Sequence, residues 1–151
     1  MPNTSSDIAL FQISLKALIV KNQAVLTLIS KDGFFDFPGG RIDNDEVKME
    51  FSASLNREIS EELSENFKFR VGNFAFAAKR VFRKDKLNYN VLALFFNVTA
   101  LNEDIKISDE HQEYQWIKVQ DLLAQPERFV SIDEFNKLKD YLIIAKISYN
   151  N

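Results

Sequence analysis

Three carboxylates, Glu58, Glu61 and Glu62, follow one another at the spacing i, i+3 and i+4 in a segment whose apolar residues recur with a helical period. On a helix these positions span an arc of about 100° on one side. Like charges this close repel one another, and near a core they raise each other's pKa unless a cation intervenes. Mg²⁺ and Mn²⁺ prefer carboxylate oxygens and keep waters that they share with a phosphate substrate. The cluster therefore indicates either a solvated acidic helix face or a divalent-cation site.

The helix that must carry these carboxylates is predicted over residues 50–64. Its apolar residues recur at every fourth position as a narrow stripe: Phe51, Leu55, Ile59 and Leu63. The acidic arc lies about 80° from the centre of this stripe, at the edge of the predicted buried face. Just before the helix, Pro38-Gly39-Gly40 permits a sharp turn and the close approach of a ligand or an ion. A short strand, a Gly-Gly loop and an acidic helix together favour the cation site over the solvated face.

The stretch Gly40–Ser64 resembles the Nudix box, whose consensus is G-x5-E-x7-R-E-U-x-E-E-x-G-U, with U an aliphatic residue. Glu46 follows the first glycine of the box after five residues, and the six residues from Arg57 match R-E-U-x-E-E in full. Ten residues rather than seven separate Glu46 from Arg57, so that Glu46 and Glu50 are alternative partners for this arginine. Ser64 replaces the closing glycine, and the helix must therefore end by another route.

The resemblance implies an α/β fold, an α/β/α sandwich around a mixed sheet, with residues 1–151 as a single domain. It implies Mg²⁺- or Mn²⁺-dependent hydrolysis of a nucleoside diphosphate linked to another moiety. Nucleotide sugars, ADP-ribose-like compounds, dinucleoside polyphosphates and nucleoside triphosphates all remain open as substrates. By the same resemblance, the expected metal ligands are the Gly39 carbonyl and three carboxylates: Glu58, Glu61 and Glu62. Arg57, Glu61 and Glu62 are candidate catalytic residues, and Glu46 is expected to brace the loop against Arg57.

A second polar segment, residues 108–116, enters a predicted strand and occupies the region from which Nudix enzymes often supply a further metal ligand or a general base. Glu110, His111 and Glu113 are candidates for that role, and for His111 the alternative is an ordinary surface histidine. Arg41 and Arg80 are candidate substrate-binding residues, because their guanidinium groups suit phosphate. For Arg80 the alternative is a surface arginine whose aliphatic part covers apolar residues.

Strands are predicted on both sides of this box. Residues 11–19 alternate between apolar and polar, residues 24–30 are almost continuously apolar, and residues 34–37 form a short aromatic run. After the helix, residues 67–71, 74–82 and 87–99 read as strands, with a charged turn at 83–86, and residues 113–119 read as another. The chain ends in a predicted helix, which Ser131 to Glu134 introduce with a capping-box pattern. Strands followed by helices in this order suggest a mixed sheet with helices packed on it.

Composition excludes several other kinds of site. The 151 residues include no cysteine, one histidine and four glycines, which leaves no zinc–thiolate site, no HExxH motif, no dinucleotide fingerprint and no P-loop. A net charge of −3 argues against stable nucleic-acid binding.

No signal-peptide pattern or bilayer-length apolar run is evident, and together with the lack of cysteine this predicts a cytoplasmic protein. The expected partner is a small nucleotide derivative rather than a membrane, and a homodimer is possible.

Other functions are compatible with the same residues. A Nudix-fold nucleotide-binding or regulatory module without turnover is the main alternative, and the longer loop is its only support. RNA decapping needs a basic RNA-binding track, for which a pI of about 5.3 gives no encouragement. Isoprenoid diphosphate isomerisation relies on a catalytic cysteine, which this chain lacks.

Overall fold

The apolar runs predicted as strands join in one mixed sheet. A computed structural model describes residues 7–109 and 113–145. In chain order its strands are β1 Gln12–Lys21, β2 Ala24–Ile29, β3 Phe35–Asp36, β4 Gly39–Arg41, β5 Phe69–Lys84, β6 Leu87–Ala100 and β7 Glu113–Lys118. The helices are α1 Phe51–Leu63, α2 Val119–Leu123 and α3 Ile132–Ile144, and short 3₁₀ turns span Asn44–Glu46 and Pro126–Arg128.

The sheet has the strand order β3-β2-β1-β6-β5, with β4 and β7 as additional partners of β1 and β2. β1 and β6 run parallel, and the other pairs are antiparallel. Because side chains alternate along β1, Leu15, Ala17 and Ile19 point to one face and Leu18 to the other. The central strand therefore supplies apolar side chains to both sides of the sheet.

A helix covers each face. Leu55, Ile59 and Leu63 of α1 are fully buried against the first face, and α3 packs Leu138 and Leu142 on the second. This gives the predicted α/β/α sandwich around a mixed sheet. Among the described residues, no helix has both the length and the hydropathy that a membrane span requires.

Three local features of the structure differ from the sequence predictions or are absent from them. The Pro38-Gly39-Gly40 turn continues into strand β4, which pairs with β1. Residues 69–84 form one strand rather than two, because irregularities between Val71 and Phe76 shift the alternation of side chains without breaking the pairing with β6. Helix α2 has five residues, too few to show a helical period in the sequence.

The first turn of α3 closes the outer edge of the sheet. Ser131 accepts a hydrogen bond from the Glu134 amide (3.1 Å) and donates one to the Lys79 carbonyl of β5 (2.8 Å). Asp133 accepts from the Lys79 amide at 2.7 Å. The Ser131 half of the predicted capping box is therefore present, but the Glu134 carboxylate pairs instead with Arg80 of β5. Helix α3 thus contacts the edge strand through both main-chain and side-chain groups.

Candidate active site

Helix α1 presents its three carboxylates at graded depth. Glu62 is 5% exposed, whereas the Glu58 and Glu61 side chains are 22% and 60% exposed. The gradient arises because Leu55 and Ile59 fix the buried face of the helix, and the acidic arc begins at its edge. The carboxylates therefore run from the protein interior out to solvent, as the sequence geometry predicts.

The deepest carboxylate is held by the glycine strand. Glu62 Oε1 accepts a hydrogen bond from the Gly39 amide at 2.9 Å. Hydrogen bonds from Ala17 to Pro38 and from Ile42 to Ile13 alternate along β1 and β4, so the Gly39 amide points away from β1 and toward the helix. Gly39 has φ +141°, and a Cβ on it would overlap the Leu15 carbonyl. Only glycine fits at this position.

The second glycine makes room for Glu58. A Cβ on Gly40 would lie 2.7–2.9 Å from the Glu58 carboxyl atoms. The main chain of β4 and two α1 carboxylates thus meet at one point, as a cation site built from carboxylates and a carbonyl requires.

Replacing Gly40 with alanine is expected to displace the Glu58 carboxylate and weaken Mn²⁺ binding about tenfold. The obstructing atoms belong to the end of a flexible side chain, so the fold should persist. Calorimetric titration with Mn²⁺, paired with urea denaturation, separates the two effects. Unchanged affinity in a folded Gly40→Ala variant would show that Glu58 is not a ligand.

Arg57 forms hydrogen bonds with three glutamates of the box. Its Nη2 atom lies 2.7 Å from Glu46 and 3.1 Å from Glu58, and its Nη1 lies 3.1 Å from both Glu61 oxygens. Glu46 also accepts from the Asp43 amide at 3.1 Å. The 3₁₀ turn and the residues after it take up the extra length of the loop, so Glu46 reaches Arg57, while Glu50 takes the N-cap position of α1.

The electrostatics of this cluster favour a bound cation. Burial raises the pKa of Glu58, and the Glu61 charge raises it further against the opposing effect of Arg57. The hydrogen bonds from Arg57 and from the Asp43 amide lower the pKa of Glu46.

Within residues 7–109 and 113–145, no three acidic or histidine side chains already lie close enough together to form a set of metal ligands. The residues nevertheless fit one, since carboxylate oxygens converge on Gly39 and Gly40 at a point where only glycine leaves space.

Helix α1 ends without the usual glycine because another segment satisfies its last carbonyls. The Lys106 and Ser108 amides donate to the carbonyls of Leu63 and Glu62, at 2.9 and 3.0 Å. Ser64 takes φ +101°, in the region that favours glycine, and its Oγ accepts from the Asn66 amide. The serine that replaces the closing glycine of the box therefore adopts a backbone conformation that favours glycine.

This strain predicts a difference between two variants at position 64. Ser64→Gly should be more stable than Ser64→Ala by about 1–2 kcal/mol, because both lose the Oγ hydrogen bond and only alanine retains the positive-φ cost. The free energy of unfolding in urea measures it. Equal stabilities would show that the backbone at this position relaxes at no cost.

The second polar segment begins beside α1, since the Ser108 amide donates a hydrogen bond to the main-chain carbonyl of Glu62. The candidates Glu110 and His111 lie outside the described residues. Glu113 opens β7 opposite Ile29, is exposed and accepts a hydrogen bond from Gln115. Trp116 is partly buried against the α1-side core.

A cleft of about 330 Å³ opens next to the carboxylates. It is lined by Ser14, Lys16, Asp36, Gly39, Gly40, Arg41, Glu62, Arg80, Phe82 and Val91. Both candidate arginines are thus in it. Arg41 is exposed at the rim, where it donates to Gln12 (2.8 Å) and lies 5.8 Å from the centre of the Tyr89 ring.

Arg80 belongs to a buried charge quartet: Lys16, Asp36, Arg80 and Glu134. The Arg80 Nε and Nη2 atoms donate to Glu134 at 2.7 and 3.0 Å, and Nη2 also donates to Asp36 at 3.2 Å. Lys16 pairs with Asp36 at 3.1 Å. Arg80 is 12% exposed, so it is a wall of the cleft rather than the surface arginine considered from sequence.

The other members of the quartet were missed by sequence reasoning. Lys16 carried a weak signal, because it is a charged residue within the otherwise apolar residues 15–20 of β1. Burial raises the pKa of Glu134, and Arg80 opposes that rise. The quartet separates the core under α3 from the open cleft.

Comparisons with known proteins agree on the fold. A family model described as "Nudt16-like: U8 snoRNA-decapping enzyme-like" matches residues 8–115. No curated protein sequence matches the chain. Among solved structures, the MutT protein from Methanosarcina mazei Go1 is 24% identical over 90% of this chain and 96% of its own, with a TM-score of 0.72. An ADP-ribose pyrophosphatase from Streptococcus suis 89-1591 is 18% identical over 89% and 92%, with a TM-score of 0.62. A UDP-X diphosphatase is 18% identical over 95% and 68%, with a TM-score of 0.64.

Proposed function

The chain belongs to the Nudix hydrolase family, and we propose that it cleaves the diphosphate linkage of a nucleoside diphosphate joined to another moiety. One observation carries the proposal: the cleft leads directly to the point where Gly39 and Gly40 meet the α1 carboxylates. A diphosphate in the cleft would therefore lie against the candidate cation site. A nucleotide sugar, an ADP-ribose-like compound, a dinucleoside polyphosphate and a nucleoside triphosphate all contain that linkage.

Mg²⁺ or Mn²⁺ would be held by Glu58, Glu61 and Glu62, with the Gly39 carbonyl as a further ligand. Such an ion, when bound, polarises the phosphoryl oxygens and lowers the pKa of a bound water. The Gly39 amide fixes the Glu62 carboxylate, and Arg57 holds Glu58 and Glu61 close together. Glu46 in turn holds Arg57, so the loop and the helix keep one geometry.

The remaining roles follow from position. Arg41, exposed at the cleft rim, would bind a phosphate oxygen, and Arg80 would orient the wall beside it. Glu61, Glu62, Glu110, His111 and Glu113 are the candidates for the base that accepts a proton from the attacking water. Action in the cytoplasm and assembly as a homodimer stay predictions.

Removal of a 5′ cap from RNA is a second candidate, because the family model carries that description and the hairpin turn between β5 and β6 is basic. Arg83, Lys84 and Lys86 are exposed there beside one acidic residue, Asp85. The acidic net charge opposes RNA binding overall, but this local patch is beside the cleft residue Phe82.

The test is a hydrolysis panel in Mg²⁺, in Mn²⁺ and in a chelator. It contains nucleotide sugars, ADP-ribose, dinucleoside polyphosphates, nucleoside triphosphates and a capped RNA. We expect metal-dependent release of a nucleoside monophosphate or of pyrophosphate from a small substrate. Cleavage of the capped RNA alone, with rates that fall steeply with salt, would favour decapping. Mn²⁺ binding without turnover on any member would favour the non-catalytic module.

A further inference from the structure

The end of the β5–β6 hairpin projects beyond the rest of the sheet. β1 begins its pairing with β6 at Gln12 opposite Val91, so residues 87–90 of β6 pair only with residues 81–84 of β5. This overhanging ribbon has two faces, because side chains alternate along each strand. Val91 and Phe82 on one face line the cleft, and Val81 lies on the other.

An aromatic stack lies on the cleft face of the ribbon. Phe82 and Tyr89 are directly opposite across the strands, and their rings stack with centroids 5.1 Å apart at 14°. Phe82 remains 38% exposed although it borders a cleft with polar walls. Arg41 lies over the Tyr89 ring and adds a cation to the same stack. A cross-strand pair alone would account for the hairpin contact, but not for an exposed ring in the cleft.

The cleft itself relates this stack to the cation site, because its lining includes Gly39 and Gly40 as well as Phe82. The residue of β5 that is in register with Gly40, through β1 and β6, is Ala77, and Phe82 lies five residues further along the same strand. The cleft therefore runs obliquely across the sheet from the glycine strand to the ribbon. A ligand with its phosphates at the glycine strand can follow this cleft and reach the aromatic stack with its opposite end.

We propose that the overhanging ribbon is a nucleobase platform, on which the base of the substrate stacks against Phe82 while its diphosphate lies at Gly39 and Gly40. The inference rests on the proposed function for the direction of the ligand. Stacking on an aromatic ring tolerates different bases, because every base has a π-face. Phe82 thus sets the preference for nucleotides over other diphosphates, and the polar cleft wall sets which base is preferred.

Binding rather than turnover tests this platform, so that its outcome is independent of hydrolysis. The probes are AMP, GMP, UMP and CMP, with ribose 5-phosphate as the matched ligand that lacks a base. The proteins are the unaltered chain, Phe82→Leu and Phe82→Trp, with Val81→Leu as the control on the opposite face of the ribbon. Calorimetry or NMR titration gives the dissociation constants.

We expect at least one nucleotide to bind the unaltered chain about tenfold or more tightly than ribose 5-phosphate. Phe82→Leu should remove that advantage without changing the affinity for ribose 5-phosphate. Phe82→Trp should keep the advantage, and a bound nucleotide should quench the fluorescence of the introduced tryptophan. Val81→Leu should match the unaltered chain. Equal affinities for nucleotides and ribose 5-phosphate, or a Phe82→Leu variant that retains the advantage, would overturn the proposal. Base-dependent binding without hydrolysis in the panel would uphold the platform and refute only the enzymatic proposal.

Discussion

Glu62→Gln is expected to lower metal-dependent turnover about 10²–10³-fold while the protein stays folded. Glutamine keeps an oxygen at the position that accepts the Gly39 amide at 2.9 Å, so the contact between α1 and β4 can persist. It loses the negative charge, and a buried neutral amide is a poor ligand for Mg²⁺ compared with a carboxylate. The change therefore separates the charge of Glu62 from its structural contact.

The matched control is Glu65→Gln, an exposed glutamate just past the end of α1. Rates at saturating Mg²⁺, Mn²⁺ affinities and urea midpoints should be measured for both variants. Full activity in a folded Glu62→Gln protein would remove Glu62 from the metal site. Glu61→Gln gives a further comparison, because its carboxylate is exposed and is bound by Arg57 rather than by the glycine strand.

Arg80→Met has the largest expected effect on stability, a loss of about 3–5 kcal/mol. The Glu134 side chain is completely buried, and Arg80 supplies both of the guanidinium hydrogen bonds to it. Methionine fills much of the arginine volume but leaves a buried carboxylate without its cation. Urea denaturation measures the loss, and Lys137→Met, which removes an exposed ion pair to Asp133, serves as the control with a change within about 1 kcal/mol.

The penalty of Arg80→Met should also depend on pH. Burial already raises the pKa of Glu134, and removal of Arg80 raises it further. The folded variant then binds a proton that the unfolded chain has lost, so the penalty shrinks as the pH falls from neutral toward the ordinary range of a carboxyl group. A double variant, Arg80→Met with Glu134→Leu, should recover most of the stability. A penalty that is constant between pH 5 and 8 would show that Glu134 is not the source of the loss.

The sequence was most informative about elements whose structure follows from the regular spacing of apolar residues along the chain. The spacing of Leu55, Ile59 and Leu63 predicted both the extent of α1 and the edge on which its carboxylates lie. The glycine pair was correctly placed next to that helix, because a specific motif joins the two. Family and fold were therefore predictable from the sequence alone.

Contacts between distant residues were not accessible in the same way. Glu134 fits a capping box within four residues of sequence, but its carboxylate is taken by Arg80, 54 positions away. Lys16 and Asp36 join the same quartet from two other strands, and no periodicity reports on such a meeting. The Phe82–Tyr89 stack depends on the hairpin register, which is set by a two-residue turn at Asp85 and Lys86, whereas the sequence predicted a longer turn at 83–86.

The attachment of α3 to Lys79 bears on how this protein avoids self-association. β5 is the last strand on its side of the sheet, and an outer strand with free amides and carbonyls can template pairing with a second chain. Ser131 and Asp133 occupy the outward carbonyl and amide of Lys79, about midway along a 16-residue strand whose exposed residues include Phe74 and Val81. The N-terminus of α3 therefore blocks main-chain pairing at Lys79, and we expect a variant that loosens this contact to self-associate through β5 more readily.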